Sequence, residues 1–169
     1  MSWNGDQLFS SKKQDWATPQ YVFDYFDRFY QYGLDAAATA GNSKCEKYIT
    51  PEQDALGTDW SAEYPEVGSV WLNPPYGRGV KHWMKKCHDE ADKGLTVSAL
   101  VMARTDTRWW HDWCMRAHTI FLIKGRIKFV GSNGVTGNAA PAPSALITWR
   151  YPSYWPESTP QFRACQVKP

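Results

Sequence analysis

The sequence predicts an α/β fold in which a single mixed sheet carries helices on both faces. Apolar runs of strand length occur at residues 67–72, 95–103 and 119–123. Segments whose apolar residues recur at helical spacing stand between these runs. Strands and helices that alternate along a chain build a layered sheet of this kind. At 169 residues, the chain is long enough for one domain with a substantial core.

The first predicted helix follows a polar segment at residues 1–15, which is expected to form a loose arm. Thr18 is expected to cap this helix and Pro19 to occupy its first position, where the fixed φ of proline is favourable. Gly33 is expected to end it, because glycine favours the conformation beyond a helix C-terminus. The apolar face between these ends consists of Val22, Phe23, Phe26, Phe29 and Tyr30.

The segments after this helix place polar side chains at the ends of two strands. Residues 34–38 are expected to form the first strand, with Asp35 near its start. The loop-rich stretch that follows contains a short predicted strand at 47–50, and the strand at 67–72 leads directly into Asn73. Ligands of such sheets bind beyond the carboxyl ends of the strands, so both polar residues are expected near a binding site.

A helix and the clearest buried strand come next. Residues 79–92 are predicted to be helical, with Gly94 marking the end of the helix. Residues 95–103 read Leu-Thr-Val-Ser-Ala-Leu-Val-Met-Ala and are predicted to form a buried strand. Asp106 is expected to cap a further helix. That helix carries Trp109, Trp110, Trp113 and Cys114.

The C-terminal third is predicted to add strands to the sheet. After the strand at 119–123, residues 126–131 and 145–149 are expected to pair as antiparallel strands. Residues 132–143 between them are rich in Gly, Asn, Ala and Pro and are predicted to form a flexible loop. The tail after Tyr151 is rich in proline and is expected to wrap the surface.

The composition indicates a folded chain that neither requires nor excludes a nucleic-acid partner. Hydrophobic residues make up 43% and charged residues 21%, which argues against disorder. The net charge is only +2, but a local basic face is enough to bind nucleic acid. The candidate basic groups are Lys81, Lys85 and Lys86 on one predicted helix, and Lys124, Arg126 and Lys128 in one strand-like segment. The alternative for the first group is a solvated helix face, and the alternative for the second is an ordinary edge strand.

The cysteines indicate free thiols and no metal site. None of the four forms a Cys-x-x-Cys pair, and neither Cys87 with His88 nor Cys114 with His111 has the spacing of a four-ligand zinc site. The chain begins without the apolar core of a signal peptide and has no apolar run of membrane length. We therefore expect a soluble, cytoplasmic protein.

The tetrapeptide Asn73-Pro74-Pro75-Tyr76 points to a particular chemistry. An exocyclic amine on adenine or cytosine is a poor nucleophile, because its lone pair is delocalised into the ring. The side-chain oxygen of Asn73 and the carbonyl of Pro74 could each accept one amine hydrogen bond and so aim the lone pair at a methyl donor. The two prolines restrict the loop, and Tyr76 offers a flat face for stacking a base. The alternative is an ordinary strand-ending turn.

Together with its companions, this tetrapeptide resembles the phage-type DNA N-6-adenine methyltransferases, the Dam family of phages and prophages. The likeness covers about residues 15–150. The segments that carry it occur in the same order: Asp15-Trp16-Ala17-Thr18-Pro19, Leu34-Asp35-Ala36-Ala37, Asn42-Ser43-Lys44-Cys45, Asp54-Ala55-Leu56, Trp71-Leu72-Asn73-Pro74-Pro75-Tyr76-Gly77 and Gly125-Arg126-Ile127-Lys128-Phe129.

The resemblance implies a Rossmann-like S-adenosylmethionine-dependent methyltransferase fold. The implied arrangement is an N-terminal arm at 1–14, a methyltransferase domain at 15–150 and a C-terminal tail at 151–169 that packs on the domain. The implied activity is site-specific transfer of a methyl group from S-adenosylmethionine to the N6 amine of an adenine flipped out of double-stranded DNA. The implied setting is the cytoplasm of a bacterial or phage-infected cell, in restriction–modification or phage DNA modification.

The resemblance also implies roles for individual residues. Asn73, Pro74, Pro75 and Tyr76 would form the catalytic loop. Phe129 would stack on the far face of the flipped base. The residues implied to contact the cofactor are Trp16, Thr18, Pro19, Asp35, Ala36, Ala37, Asp54 and Asp59. DNA contacts are expected from residues 131–143 and from Arg104, Arg108, Arg126 and Lys128.

One departure from the family keeps other functions open. Methyltransferases usually carry glycine in the loop after the first strand, whereas this chain has Ala36-Ala37-Ala38. A non-catalytic nucleic-acid-binding module with a degenerate methyltransferase fold is therefore one alternative. An amino methyltransferase acting on cytosine, RNA or protein glutamine is another, because the tetrapeptide alone is shared with such enzymes. The sequence leaves open the DNA target, the biological role and the oligomeric state, with a monomer among the options.

Overall fold

The computed structural model describes residues 16–131, 133–150 and 160–169. Its helices are α1 (Gln20–Tyr30), α2 (Trp60–Glu63), α3 (Val80–Asp92) and α4 (Arg108–Asp112), with short 3-10 turns at Pro51–Gln53 and Cys114–Arg116. Its strands are β1 (Leu34–Asp35), β2 (Lys47–Tyr48), β3 (Ser69–Leu72), β4 (Thr96–Met102), β5 (Thr119–Ile123), β6 (Lys128–Val130), β7 (Thr136–Ala139), β8 (Ser144–Trp149) and β9 (Gln161–Cys165).

Seven of these strands form one mixed sheet in the order β2-β1-β3-β4-β8-β5-β9. β1 is parallel to β2 and β3, and β3 is parallel to β4. β8 is antiparallel to β4 and β5, whereas β9 is parallel to β5. From β1 the chain moves outwards to β2 and then returns to the other side of β1 as β3. The loops after β1 and β3 therefore open a crevice at a topological switch point, where such sheets bind ligands.

Helices cover both faces of the sheet, as the sequence predicted. Side chains of β3 alternate between two apolar cores, with Val70 and Leu72 in one and Trp71 in the other. Met84 of α3 lies in the first core and Phe26 of α1 in the second. The α/β prediction is therefore confirmed. The fold also contains a separate two-stranded sheet of β6 and β7, which the sequence did not predict.

The middle of the sheet is apolar on both sides, which explains why its strands read as continuous hydrophobic runs. Every residue of β8 is buried, as are the five central residues of β4. The buried hydroxyls of Ser98 and Thr148 face each other across these strands and share a hydrogen bond of 2.9 Å. Each polar group therefore has a partner inside the core.

The predicted pairing of residues 126–131 with 145–149 is wrong. β6 pairs with β7, while β8 is inserted between β4 and β5 in the main sheet. The segment 132–143, predicted to be a loop, contains β7. Thr-Gly-Asn-Ala in β7 lacks an apolar alternation, so its pairing was not visible in the sequence.

Three predicted helix boundaries are also wrong. Pro19 is the residue before α1, and the Thr18 hydroxyl makes no capping bond; it is buried without a partner among the described residues. The same helix ends at Gln31, which adopts φ 51°, two residues before the predicted stop. Thr107 precedes α4, so Asp106 is not its cap. In addition, Phe29, predicted on the buried face of α1, is 66% exposed.

The C-terminal tail contributes to the sheet. Residues 161–165 form β9, which pairs with β5 at the edge, where a surface-wrapping tail was expected. The predicted arm at 1–14 and residues 151–159 of the tail lie outside the described residues. The domain boundaries stay a prediction.

Candidate active site

A cavity of about 360 Å³ opens at the switch point between β1 and β3. Asp35 and Trp71 are register partners on these strands, and the Ala36 amide donates to the Trp71 carbonyl at 2.9 Å. The loops that follow the two strands are therefore adjacent and form facing walls of the cavity. One wall consists of Ala36, Ala37, Ala38, Thr39 and Asn42, and the other of Asn73, Pro74, Pro75 and Tyr76.

The side chain of Asn73 is held at both ends. Its Nδ2 donates to the Trp16 carbonyl at 2.9 Å, and its Oδ1 accepts a hydrogen bond from the Tyr76 hydroxyl at 3.2 Å. A carbonyl cannot donate, so the opposite amide orientation would set two acceptors against each other. The amide oxygen of Asn73 is therefore fixed on the Tyr76 side, with a second lone pair free for a ligand.

The loop around Asn73 is shaped by its neighbours. Pro74 is buried, whereas Pro75 is exposed. The Pro74 carbonyl accepts no hydrogen bond from any described residue. The turn closes at Gly77, whose φ of 138° is unfavourable for other residues. Asn73 and Pro74, which carry the two oxygens predicted to hold an amine, both line this wall.

Two aromatic rings in contact with each other, Tyr76 and Phe129, lie at the Asn73 end of the cavity. The ring edge of Tyr76 meets the ring of Phe129 with centroids 5.9 Å apart and planes at 78°. Burial raises the pKa of the Tyr76 phenol, so the hydroxyl stays protonated and can donate to Asn73 at neutral pH. Phe129 is only 7% exposed and belongs to the core beneath α1. Its predicted stacking on a base stays a prediction.

A short strap, residues 16–18, ties the β6–β7 hairpin to the catalytic loop. Ala17 and Val130 exchange two backbone hydrogen bonds, of 2.8 and 2.9 Å. Trp16 lines the cavity with its side chain while its carbonyl holds Asn73. A Cβ placed on Gly137 of β7 would lie 2.5 Å from the Trp16 ring, so only glycine allows this close approach.

The far end of the cavity is mostly apolar with one carboxylate. Ile49, Pro51, Ala55 and Leu56 line it, together with the exposed Asp54. Such a lining suits a flat heterocycle on the apolar side and hydroxyl or ammonium groups at the carboxylate. The small side chains of Ala36 and Ala37 leave the cavity open beside the sheet, which partly replaces the expected glycine loop.

Asp35 lies beneath the cavity wall and does not line it. Its side chain is 3% exposed and accepts hydrogen bonds from the amides of Lys44, at 3.0 Å, and Ala37, at 3.3 Å. Burial raises its pKa to about 6, against the lowering effect of these two amides. The visible function of Asp35 is to shape the loop after β1, and direct contact with a cofactor stays a prediction.

Three further residues predicted to bind a cofactor lie outside the cavity lining. Thr18 and Pro19 are both buried next to the strap. Asp59 caps α2 by accepting from the Ala62 amide and forms an ion pair with Lys93 at 3.0 Å. The hydrogen bond from Lys93 holds the pKa of Asp59 below its usual range. Of the predicted cofactor residues, the cavity is lined by Trp16, Ala36, Ala37 and Asp54.

The predicted DNA-contacting residues form two separate groups. Arg126 and Lys128 are exposed near the hairpin, with Arg126 donating to the Ala140 carbonyl at 3.2 Å. Arg104 and Arg108 are exposed after β4, beside α4. The first group lies at the separate β6–β7 sheet, and the second lies beyond β4 of the main sheet; contact of either with DNA stays a prediction.

Sequence reasoning missed several residues of the lining. Trp83 of α3 points into the cavity from the helix that follows the catalytic loop. In the sequence, Trp83 shares one apolar helix face with Val80, Met84 and Cys87, which predicts packing and gives no separate signal for a binding site. Ile49 and Thr50 were missed because β2 ends earlier than expected, which leaves both in the loop at the cavity.

Within the described ranges, no group of three or more His, Cys, Asp or Glu residues is arranged to hold a metal ion. None of the helices described has the length and hydropathy needed to cross a membrane. All four cysteines are unpaired.

Comparison with known proteins decides the family. The model of the DNA N-6-adenine-methyltransferase (Dam) family matches residues 5–158. The chain belongs to this family. The family assignment makes it a methyltransferase and confirms the resemblance stated from the sequence.

Two phage proteins are similar over most of the chain. A DNA N-6-adenine-methyltransferase of Haemophilus phage HP1 is 32% identical over 135 residues, which are 76% of this chain and 73% of that protein. A DNA N-6-adenine-methyltransferase of Escherichia phage T1 is 31% identical over 140 residues, which are 73% of this chain but only 56% of the phage protein.

One solved structure shows a weak similarity to the chain. It is a predicted O-methyltransferase of Agrobacterium tumefaciens, 17% identical, with a TM-score of 0.42 over 79% of this chain and 78% of that one. At this level of similarity, the fold class rests on the strand order of the chain itself.

Proposed function

We propose that the chain transfers a methyl group from S-adenosylmethionine to the N6 amine of an adenine flipped out of double-stranded DNA. The observation that carries this proposal is the side chain of Asn73. It is fixed by Trp16 and Tyr76, and it lies in a cavity that extends to the loop after β1. Membership of the DNA N-6-adenine-methyltransferase family supports adenine in DNA as the substrate.

The chain acts on the amine by accepting its hydrogen bonds. Asn73 Oδ1 has a lone pair beyond the one used by Tyr76, and the Pro74 carbonyl is unused by the described residues. Two acceptors placed there favour a pyramidal amine with its lone pair directed into the cavity. Because both oxygens are held by the fold before the substrate arrives, no reorganisation is needed during the reaction.

The cavity suits the proposed cofactor. The apolar end at Ile49, Pro51 and Leu56 would hold the adenosyl group, with Asp54 near its polar atoms. Ala36 and Ala37 would line the path towards Asn73. When bound, S-adenosylmethionine supplies an electrophilic methyl carbon. The volume of about 360 Å³ lies within the usual range of small-molecule sites.

The chain provides orientation without a general base next to the amine. Asp54 is the only carboxylate that lines the described cavity, and it lies at the opposite end from Asn73. Tyr76 remains a protonated donor, since burial raises its pKa. The proton released from the methylated amine would therefore pass to water at the cavity mouth.

The base has to leave the helix, because its N6 amine is hidden in the base stack and pairs across the duplex. In the proposed complex, the adenine ring would enter beside the aromatic rings of Tyr76 and Phe129. Aromatic side chains bind extruded bases by stacking on their faces. The half-buried Tyr76 provides such a surface at the cavity, whereas the buried Phe129 supports it from behind.

Transfer of labelled methyl groups from S-adenosylmethionine to unmodified duplex DNA tests this function. We expect incorporation with the intact chain and a loss of about 100- to 1,000-fold in kcat for Asn73→Ala, the cost typical of removing a preorganised hydrogen-bonding group. Cofactor binding, measured by calorimetry, should change little in that variant. Full activity of Asn73→Ala would reject the mechanism.

Parallel assays separate the proposal from its rivals. Duplex DNA, RNA and a glutamine-containing peptide are offered as acceptors at equal concentration. Labelling of RNA or peptide alone would favour the corresponding rival enzyme. A chain that binds duplex DNA but neither binds S-adenosylmethionine nor transfers methyl groups would be a non-catalytic module.

A further inference from the structure

A second depression, of about 300 Å³, lies between α3 and α4 and is separate from the active-site cavity. The half-buried rings of Trp109 and Trp113 line it, and three exposed cations surround them: Lys81, Lys85 and Arg108. Asp112 is the only acid that lines it, so the groove has a net positive charge. We call this the α3–α4 groove.

The position of the groove is set by the sheet topology. α3 follows the catalytic loop after β3, and α4 follows β4, which is parallel to β3. The first turns of both helices therefore lie at the same edge of the sheet as the active site. α3 is shared between them, because Trp83 lines the cavity while Lys81 and Lys85 line the groove.

Two of the three cations have no acidic partner among the described residues and are available for a ligand. Lys81 and Arg108 form no ion pair with any described residue, whereas Lys85 is paired with Asp89 at 2.5 Å. Lys85 also lies over the Trp113 ring, 5.4 Å from its centroid. Unpaired cations that flank a flat aromatic floor fit a sugar–phosphate backbone, since the charges can bind phosphates while the rings contact the sugar.

We propose that the α3–α4 groove binds the phosphodiester backbone of the target strand, next to the adenine that enters the active-site cavity. This inference rests on the proposed function, because it assigns to the groove the DNA whose base is methylated. Lys81 and Arg108 each bind one backbone phosphate. Contacts of this type position the duplex without reading its sequence.

The main test compares Lys81→Gln/Arg108→Gln with the intact chain in methyl transfer to one duplex of fixed length. The KM for DNA should rise at least tenfold with kcat changed less than twofold. The slope of log Kd against log salt concentration should decrease by about 1.8, because each lost phosphate contact releases about 0.9 fewer counterions. The charge-conserving Lys81→Arg/Arg108→Lys should keep the slope of the intact chain.

Lys168→Gln serves as the charge control. Lys168 is exposed beyond β9, at the edge of the sheet farthest from β2 and β1, and its loss removes a positive charge away from the groove. This variant should retain the KM and the salt slope. The control removes one charge and the double variant two, so a control effect of about half that of the double variant would show that only overall charge matters, and would overturn the proposal.

Neutral methylphosphonate linkages, placed one at a time along the target strand, locate the contact. A methylphosphonate at one of the one or two phosphates bound by the groove should raise the KM of the intact chain for DNA. The same methylphosphonate should not further raise the KM of Lys81→Gln/Arg108→Gln, because that variant has already lost the contact. Additive effects at every phosphate would contradict the groove assignment. Absence of any methyl transfer by the intact chain would instead reject the proposed function itself.

Discussion

Asn73 has little freedom in the folded chain, because its amide group is bonded on both sides to parts of the molecule distant from each other in sequence. The Trp16 carbonyl accepts from its nitrogen, and the Tyr76 hydroxyl donates to its oxygen. The cost of orienting this side chain is therefore met during folding. Orientation before substrate binding is a main source of rate acceleration in such sites.

Tyr76→Phe should lower kcat about tenfold, since a hydrogen bond worth roughly 1–1.5 kcal/mol is lost from Asn73 while the aromatic ring is kept. The KM for cofactor should change less than twofold. Steady-state kinetics with labelled S-adenosylmethionine measure both. Tyr30→Phe, at the end of α1 and away from the cavity, is the control and should match the intact chain. An unchanged kcat for Tyr76→Phe would show that its hydroxyl does not position Asn73.

Asp35 should make stability depend on pH. Its folded pKa of about 6 lies above the ordinary value of 3.8, because burial disfavours the charged form. Between these values the native state holds the proton more tightly than the unfolded state. Stability therefore falls as pH rises through this window, and the loss is complete above the folded pKa. The shift corresponds to about 3 kcal/mol.

Urea unfolding of the intact chain and Asp35→Asn at a series of pH values measures this contribution. The free energy of unfolding of the intact chain, relative to the variant, should decrease by about 2 kcal/mol between pH 4 and pH 7, since part of the full effect is already lost at pH 4. Other carboxyl groups contribute equally to both proteins and cancel in the difference. Parallel stability curves for the two proteins would contradict the assignment to Asp35.

At the scale of elements, the β6–β7 hairpin supports the active site through the strap. The hairpin binds Ala17 through Val130, and the adjacent Trp16 holds Asn73. Gly137 of β7 leaves room for the Trp16 ring, which a Cβ would meet at 2.5 Å. Packing of the hairpin is thus connected to the position of Asn73 through two sets of hydrogen bonds, between Val130 and Ala17 and between Trp16 and Asn73.

Gly137→Ala should displace Trp16 and lower kcat several-fold, because the carbonyl that holds Asn73 moves with the ring. Gly68→Ala is the matched control: a Cβ there meets nothing within 4 Å, so activity should be retained. Kinetics of methyl transfer, with near-ultraviolet circular dichroism to report on the Trp environment, measure the change. Equal activity in the two variants would show that the hairpin does not control the site.

A buried ionic cluster joins α2 to α3. Glu90 is fully buried and pairs with Lys86 at 2.5 Å and Lys93 at 3.0 Å. It also accepts from the Ser61 amide at 3.3 Å. Each charge in the cluster has a partner, which offsets the cost of removing it from water.

Glu90→Ala should destabilise the fold by about 3–5 kcal/mol, since it leaves Lys86, whose side chain is only 12% exposed, without its carboxylate partner. Asp89→Ala on the same helix removes an exposed partner of Lys85 and should cost less than about 1 kcal/mol. Urea unfolding at neutral pH compares the two. Equal losses of stability would show that the cluster contributes no more than a surface pair.

At the scale of the whole molecule, the sequence was most informative where one short segment carries its own geometry. The β3 strand, the proline-rich loop and the start of α3 are contiguous, so their order and their position at the sheet edge followed from local rules. The same rules placed β4 and β5. They also located Asp35 and Asn73 at one edge; Asn73 lines the cavity, whereas Asp35 is buried beneath its wall.

The parts that could not be predicted depend on contacts between distant residues. β7 has no apolar alternation, and its pairing with β6 is accompanied by packing against Trp16. Asp59 resembled a cofactor ligand in sequence, but its neighbours in space make it a helix cap and an ion-pair partner of Lys93. The hydrogen bond from Asn73 to Trp16 spans 57 residues and leaves no local signal.

The most direct measurement of the central claim is the identity of the methylated nucleoside. DNA from cells that lack adenine methylation and express the intact chain, or its Asn73→Ala variant, is digested to nucleosides and analysed by mass spectrometry. The account predicts N6-methyl-2'-deoxyadenosine from the intact chain, at a level at least 100-fold above that from the variant. N4-methyl-2'-deoxycytidine as the product, or equal N6-methyl-2'-deoxyadenosine from both proteins, would contradict it.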